Sequence, residues 1–170
     1  ILDSEGRTIR SYSSEESDFD RCRVANMDPR HPFELEFPPV EPGLNRWVWD
    51  FRRDGVHCIE DVKIFSGFGG ATVPPGDYRA RITANGASRE VSFELVPDRR
   101  ISATMQEAAE WSGKLDETAA LLDDVLRHLE RARRARAETE ALMADFPGDA
   151  QLQQAGQAAV DALTAWDHLI

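Results

Sequence analysis

Tyr78-Arg79-Ala80-Arg81-Ile82-Thr83-Ala84-Asn85-Gly86-Ala87-Ser88-Arg89-Glu90-Val91-Ser92-Phe93-Glu94-Leu95-Val96 is the most explicit architectural instruction in this chain. Asn85-Gly86 is a strong hairpin signal, because both central residues of a type I′ turn take positive φ. A two-residue turn there sets Ala84 opposite Ala87. It follows that Tyr78 faces Phe93, Ala80 faces Val91 and Arg81 faces Glu90. The first two pairs predict one buried face, and the third an opposite-charge pair outside.

Working outward, Asn45–Arg52 reads as a further strand. Trp47, Trp49 and Phe51 alternate with Arg46, Val48, Asp50 and Arg52, so period two places the three rings on one face. Ile1–Asp3 and Arg7–Tyr12 flank Ser4-Glu5-Gly6 as a short hairpin. Residues 13–42 form a long loop, acidic over Ser13–Asp20 and proline-rich towards Pro42, in which only Phe33–Phe37 alternates. Ser66–Gly70 is a glycine-rich connector. Six or so short strands separated by turn signals predict a β-sandwich over residues 1–100.

Residues 101–170 change character. They hold one of the 9 prolines and 3 of the 11 glycines. Thr104-Met105-Gln106-Glu107 matches a capping box. A seam of Leu115, Ala119, Leu122, Leu126 and Leu129 follows at spacings of four and three, with a less regular one through Leu121, Val125, Ala132, Ala135 and Leu142. Phe146-Pro147-Gly148-Asp149 breaks the pattern, and Asp149 suits the cap of a return helix. That helix presents Leu152, Gly156, Ala159, Leu163, Trp166 and Ile170. The expectation is an antiparallel helical hairpin with helices over about 102–144 and 149–170, spanning roughly 65 Å and 30 Å. The first turns, near Met105, Ala108 and Trp111, then need another surface, with Gly113 a candidate kink. The whole is an α+β chain: β first, helices after.

Composition narrows the function classes. Thirty-one acids against 20 bases give the 170 residues a net charge of −11, which disfavours nucleic acid and anionic membranes as partners. No apolar run approaches the ~18 residues of a membrane span. Cys22 and Cys58 exclude a zinc site of four thiolates and leave one disulfide open. The chain begins at Ile1 and closes inside a helical pattern, so it reads as a piece of a longer protein.

Gly43–Arg52, with its G-x-N-x-x-x-W-D pattern, and Val73–Ile82, with P-x-G-x-Y, together resemble a recurrent bacterial β-sandwich module. The pattern is similar to the immunoglobulin-like domain of flagellar hook-capping proteins. It is closer to the C-terminal module of bacterial sortilin-like β-propeller proteins, often labelled glycosyl hydrolases, where a helical hairpin follows the sandwich. The resemblance covers residues 1–12 and 43–96. It implies an exported multidomain parent with a propeller upstream of Ile1, and no catalytic residue in this chain.

The candidate sites read as structural. The rings of Trp47, Trp49 and Phe51 suit a sandwich core better than a sugar-stacking platform. Tyr78 suits a tyrosine corner that ties a loop backbone. Glu15, Glu16, Asp18 and Asp20 lack the spacing of a calcium loop, and nothing local would bury them as a glycosidase pair. His31, His57, His128 and His168 are scattered, and His57 beside Cys58 has no evident third partner. Ser66–Gly70 lacks the Lys-Ser/Thr of a phosphate loop. Arg127, Arg131, Arg133, Arg134 and Arg136 read as a solvated face paired through Glu130–Arg134, Arg134–Glu138 and Arg136–Glu140. No catalytic, cofactor or metal residue is expected. The expected partners are other domains of the same parent, with self-association through the helical hairpin or a carbohydrate-binding role for exposed aromatics as the alternatives.

Overall fold

A computed structural model describes residues 1–28, 30, 35–64, 67–100 and 102–167. Its element order is α1 (Asp18–Ala25), β1 (Gly76–Ala84), β2 (Ala87–Leu95), α2 (Met105–Asp145) and α3 (Ala150–Asp167). The chain is therefore mixed α+β. It divides into two compact units, Ile1–Leu122 and Asp123–Ile170.

In the first unit β1 and β2 form a two-stranded antiparallel sheet in the register that the turn dictates: Tyr78 opposite Phe93, Ala80 opposite Val91, Arg81 opposite Glu90, Ala84 opposite Ala87. Asn85 and Gly86 take φ of 50° and 75°. Arg81 Nε donates to Glu90 Oε1 at 2.7 Å on the outer face. The inner face is covered only at its base. Tyr78 is buried, whereas Ile82 and Val91 near the tip are 68% and 59% exposed. Of the expected buried pair, Ala80 is half-buried and Val91 is open to solvent.

Hydrogen bonds continue past the free edge of β1. Leu2 and Arg79 exchange backbone bonds of 2.8 and 2.9 Å, and Asp3, Ile9 and Arg7 close the short N-terminal turn around Gly6. Asp54 N–H then donates to Ile9 C=O, Arg53 N–H to Ala71 C=O and Val73 N–H to Phe51 C=O. These contacts form isolated bridges at Leu2–Thr8, Leu2–Arg79 and Arg52–Thr72. Among the described residues there are two strands, so the further strands expected over 1–12 and 45–52 do not form as ladders. In the second, Phe51 takes a φ of 59°, and a left-handed residue ends extended backbone.

Beneath the sheet, Ile9, Val73 and Tyr78 make a buried cluster flanked by Ile1, Trp49, Phe93 and Leu95. Trp49 packs edge-on to Tyr78 and Phe93 at 5.6 and 6.0 Å between centroids. Aromatic quadrupoles favour that geometry.

The acidic stretch is not simply loop. Ser17 caps α1 in a reciprocal box with Asp20. Cys22 on α1 is disulfide-bonded to Cys58 across 36 residues. Asn26, at the helix's C-cap, donates to Ile59 C=O at 2.7 Å and accepts from Val62 N–H at 3.1 Å. The helix is pinned twice to the 58–62 segment.

Helix α2 starts at the expected capping box. Glu107 N–H donates to Thr104 Oγ1, and Thr104 N–H donates to Glu107 Oε2. Its early turns bury Ser112 at 6% exposure, while Trp111 is 64% and Met105 52% exposed. The covered face is therefore the polar one beside Trp111. Arg53 explains the choice, because it donates to Ser112 Oγ at 3.1 Å and meets Asp116 Oδ1 at 2.8 Å.

In the second unit α3 runs back along the end of α2. Asp149 Oδ1 accepts from Gln151 and Leu152 N–H, both at 3.0 Å. Gln153 Nε2 donates to the carbonyls of Met143 and Phe146 near the end of α2. Gly156 sits against Met143 and Thr139, and Asp167 against Arg133 and Arg136. Burial is deepest at Leu126 and Leu129 of the first seam, each 1% exposed, against 67% for Leu121 and 46% for Leu142 of the other. The inner face of α3 is Leu152, Gly156, Val160, Leu163 and Asp167, with Ala159 and Trp166 outside. The expected phase is thus displaced by one residue at two positions. Ile170 lies outside the described residues.

Candidate functional site

Trp47, Trp49 and Phe51 part company. Trp49 joins the core and donates from Nε1 to Arg52 C=O at 2.8 Å. Phe51 touches Trp49 edge-on at 5.4 Å yet stays 46% exposed. Trp47 turns elsewhere, meeting Tyr12 edge-on at 5.2 Å and 72°. The expectation that all three fill one interior is corrected, because residues 45–51 lie in no strand and period two holds only along regular extended backbone.

Trp47 lines a cleft of about 620 Å³ together with Tyr12, Phe19 of α1 and Phe37. That volume falls in the range of small-molecule sites, about 300–1,000 Å³. Charged groups ring it. Arg10 lies over the Tyr12 ring at 4.8 Å, donates to Arg53 C=O at 3.2 Å and sits 3.7 Å from Asp54. Arg23 stands 5.7 Å from the Phe19 centroid. Asp54 Oδ1 accepts from Ser11 N–H, and Asp50 Oδ1 from Arg52 N–H, both at 3.1 Å. Burial pushes the Tyr12 hydroxyl above the usual tyrosine range, opposed by its hydrogen bond with Arg10.

A second, more polar hollow of about 450 Å³ lies beside Asp3, Arg7, Pro74, Tyr78 and Asp116. Tyr78 donates its hydroxyl to Pro74 C=O at 2.6 Å, the loop-tying bond expected of it. Burial raises its pKa, so it keeps its proton as a donor. Asp3 already accepts from Arg7 Nε at 2.8 Å. Arg53 pairs with Asp116 in the same hollow.

The other candidates disperse. Asp18 pairs with Arg21, and Glu16 also approaches Arg21; Asp20 is taken by the helix cap. No cluster of three or more potential metal ligands occurs among the described residues. Cys58 is oxidised to the disulfide, so the His57–Cys58 pair offers no thiolate. His128 Nδ1 sits 2.7 Å from Asp124 C=O on the α2 surface. His31, His168 and Ser66 lie outside the described residues. In the arginine group, Arg134 does approach Glu130 at 3.8 Å. Arg133 and Arg136, however, turn inward and share Asp167, whose side chain is 16% exposed. They form an interhelical clamp and not a solvated face.

The chain matches no protein-family profile, no curated protein and no solved structure. What it does must therefore be argued from its own residues.

Sequence reading missed the cleft because Trp47 carries the same alternation signal as Trp49. It missed α1 because Ser17-x-x-Asp20 is a capping box with aspartate where glutamate or glutamine is usual. No described helix is long and apolar enough to cross a membrane.

Proposed function

We propose that this chain is a non-catalytic accessory module: an immunoglobulin-like sandwich carrying a helical hairpin, belonging to a larger exported protein and positioning an upstream β-propeller. Arg53 carries the reading. Its backbone holds Ala71 and its guanidinium holds Ser112 and Asp116 of α2. A residue type that could serve chemistry is used to fasten helix to β body. The series of backbone bonds running from β1 through residues 2, 9, 54 and 71 is what a sandwich with short strands provides. Tyr78 and Pro74 supply the corner. The Cys22–Cys58 bond suits an exported protein, because disulfides persist in oxidising compartments.

The test has two arms. The isolated chain is assayed on glycoside and peptide panels, and light scattering follows its mixture with the propeller encoded upstream of Ile1. The reading expects no turnover and a one-to-one complex. Turnover by the chain alone, or an upstream sequence without blade repeats, overturns it.

A further inference from the structure

We propose that the cleft beside Trp47 binds a neutral sugar ring of a glycan. The proposal goes beyond the accessory role and fails separately from it. Four observations carry it.

The first is the platform. Trp47 lines the cleft, but its Nε1 is buried and has no hydrogen-bond partner among the described residues. The surface it offers is therefore carbon. Tyr12, edge-on at 5.2 Å, holds the indole in place. A rigid aromatic face costs little ordering on binding, and the C–H face of a pyranose is its apolar complement.

The second is the pair of acceptors. Asp50 and Asp54 each tie one oxygen to a backbone N–H, which fixes their carboxylates. Their second oxygens accept no hydrogen bond from the described residues. Ligand hydroxyl groups are donors that match them, and hydrogen bonds to a charged acceptor are the stronger kind.

The third is charge. Asp20, Glu36, Asp50 and Asp54 line the cleft against Arg10 and Arg23, in a chain of net charge −11. A uronate, sulfate or phosphate meets repulsion there. An anionic ligand is thereby disfavoured.

The fourth concerns a competing cation. A quaternary ammonium is held best by a cage of several free aromatic faces, and Arg10 and Arg23 already lie over those of Tyr12 and Phe19.

Calorimetry and tryptophan fluorescence of the whole chain test this with cello-, chito- and manno-tetraose, tetragalacturonate, a Pro-Pro-rich peptide and tetramethylammonium, each to millimolar concentration. At least one neutral tetrasaccharide is expected to bind. Trp47→Ala weakens it at least about tenfold, a loss in the range of a hot-spot aromatic. Asp50→Asn, which leaves the stacking surface intact, weakens it about threefold or more. Trp111→Ala, on the exposed face of α2, leaves it unchanged. Should Trp47→Ala fail to fold, Asp50→Asn decides alone. The proposal is overturned if no neutral tetrasaccharide binds, if binding survives Trp47→Ala and Asp50→Asn, or if tetragalacturonate, the peptide or tetramethylammonium binds more tightly.

Discussion

Residues Ile1–Leu122 are joined by links between distant parts of the sequence. Cys22 reaches Cys58, Arg10 reaches Arg53 across 43 positions, and Arg53 reaches Ser112 across 59. Many of those links are backbone to backbone. In Asp123–Ile170 the contacts follow the simple fold-back of α3 on α2, and flexible side chains make them: Gln153 to Met143, Arg133 and Arg136 to Asp167. Where backbone abuts backbone, a small added group has nowhere to go. Where side chains meet, the neighbour can move. The first unit should therefore be brittle and the second forgiving.

Two glycines make the contrast sharpest. A β-carbon at Gly70 would overlap the carbonyl oxygens of Arg53 and Asp54, whereas one at Gly156 meets the Sδ of Met143 at 2.5 Å. Gly70→Ala should cost about 3 kcal/mol or more in denaturant unfolding, since overpacking against fixed groups is the expensive kind. Gly156→Ala should stay within about 1 kcal/mol of the parent, because methionine adapts and alanine favours helix. Equal losses would erase the distinction between the units.

Next in size is the disulfide. The Cys22→Ser/Cys58→Ser double variant should lose about 2–4 kcal/mol, with α1 freed first. Hydrogen exchange should show faster amides over 18–25 and 58–62 and unchanged ones over 150–167. Loss of protection in α3 would mean that the two units unfold together.

Tyr78→Phe removes the bond to Pro74 C=O while keeping the ring. A loss of about 1 kcal/mol is expected for a part-buried carbonyl left unpaired, read from the unfolding midpoint. No change would show the corner to be incidental.

The smallest effect is electrostatic and sits at the start of α2. Hydrogen bonds from the Thr104 N–H and then its hydroxyl hold Glu107 below the usual glutamate range. A lowered folded-state pKa gives stability that is present above the unfolded value, about 4.3, and lost as pH falls through the folded one. Fraying at residues 104–108, followed by amide chemical shifts, should therefore begin only below pH 4 or so. Glu107→Gln should abolish that acid dependence.

What the sequence makes legible follows the range of each signal. Asn85-Gly86 and the pairs it dictates, the box at Thr104–Glu107 and the cap at Asp149 are local, and each is read directly from neighbouring residues. The position of Trp47 is not local: period two assigns it to the same face as Trp49, and only the irregular backbone over residues 45–50 and the partner Tyr12 separate them. Ser112 is buried because Arg53 lies opposite, whereas the apolar pattern favours Trp111 for the inside. In α3 the alanines around Gly156 dilute the contrast that sets helix phase, so Val160 and Asp167 were hidden as inner residues. The cleft is assembled from several segments between Arg10 and Gly55, and no single stretch announces it.

The account rests most heavily on the separation of two tryptophans, Trp49 as core and Trp47 as cleft wall. Denaturant unfolding of Trp49→Ala and Trp47→Ala, measured side by side, tests it most directly. Trp49→Ala should lose about 3 kcal/mol, as truncation of a packed aromatic does, and Trp47→Ala about 1 kcal/mol or less, since it also removes a buried unpaired N–H. Equal losses, or a greater loss at Trp47, would contradict the account.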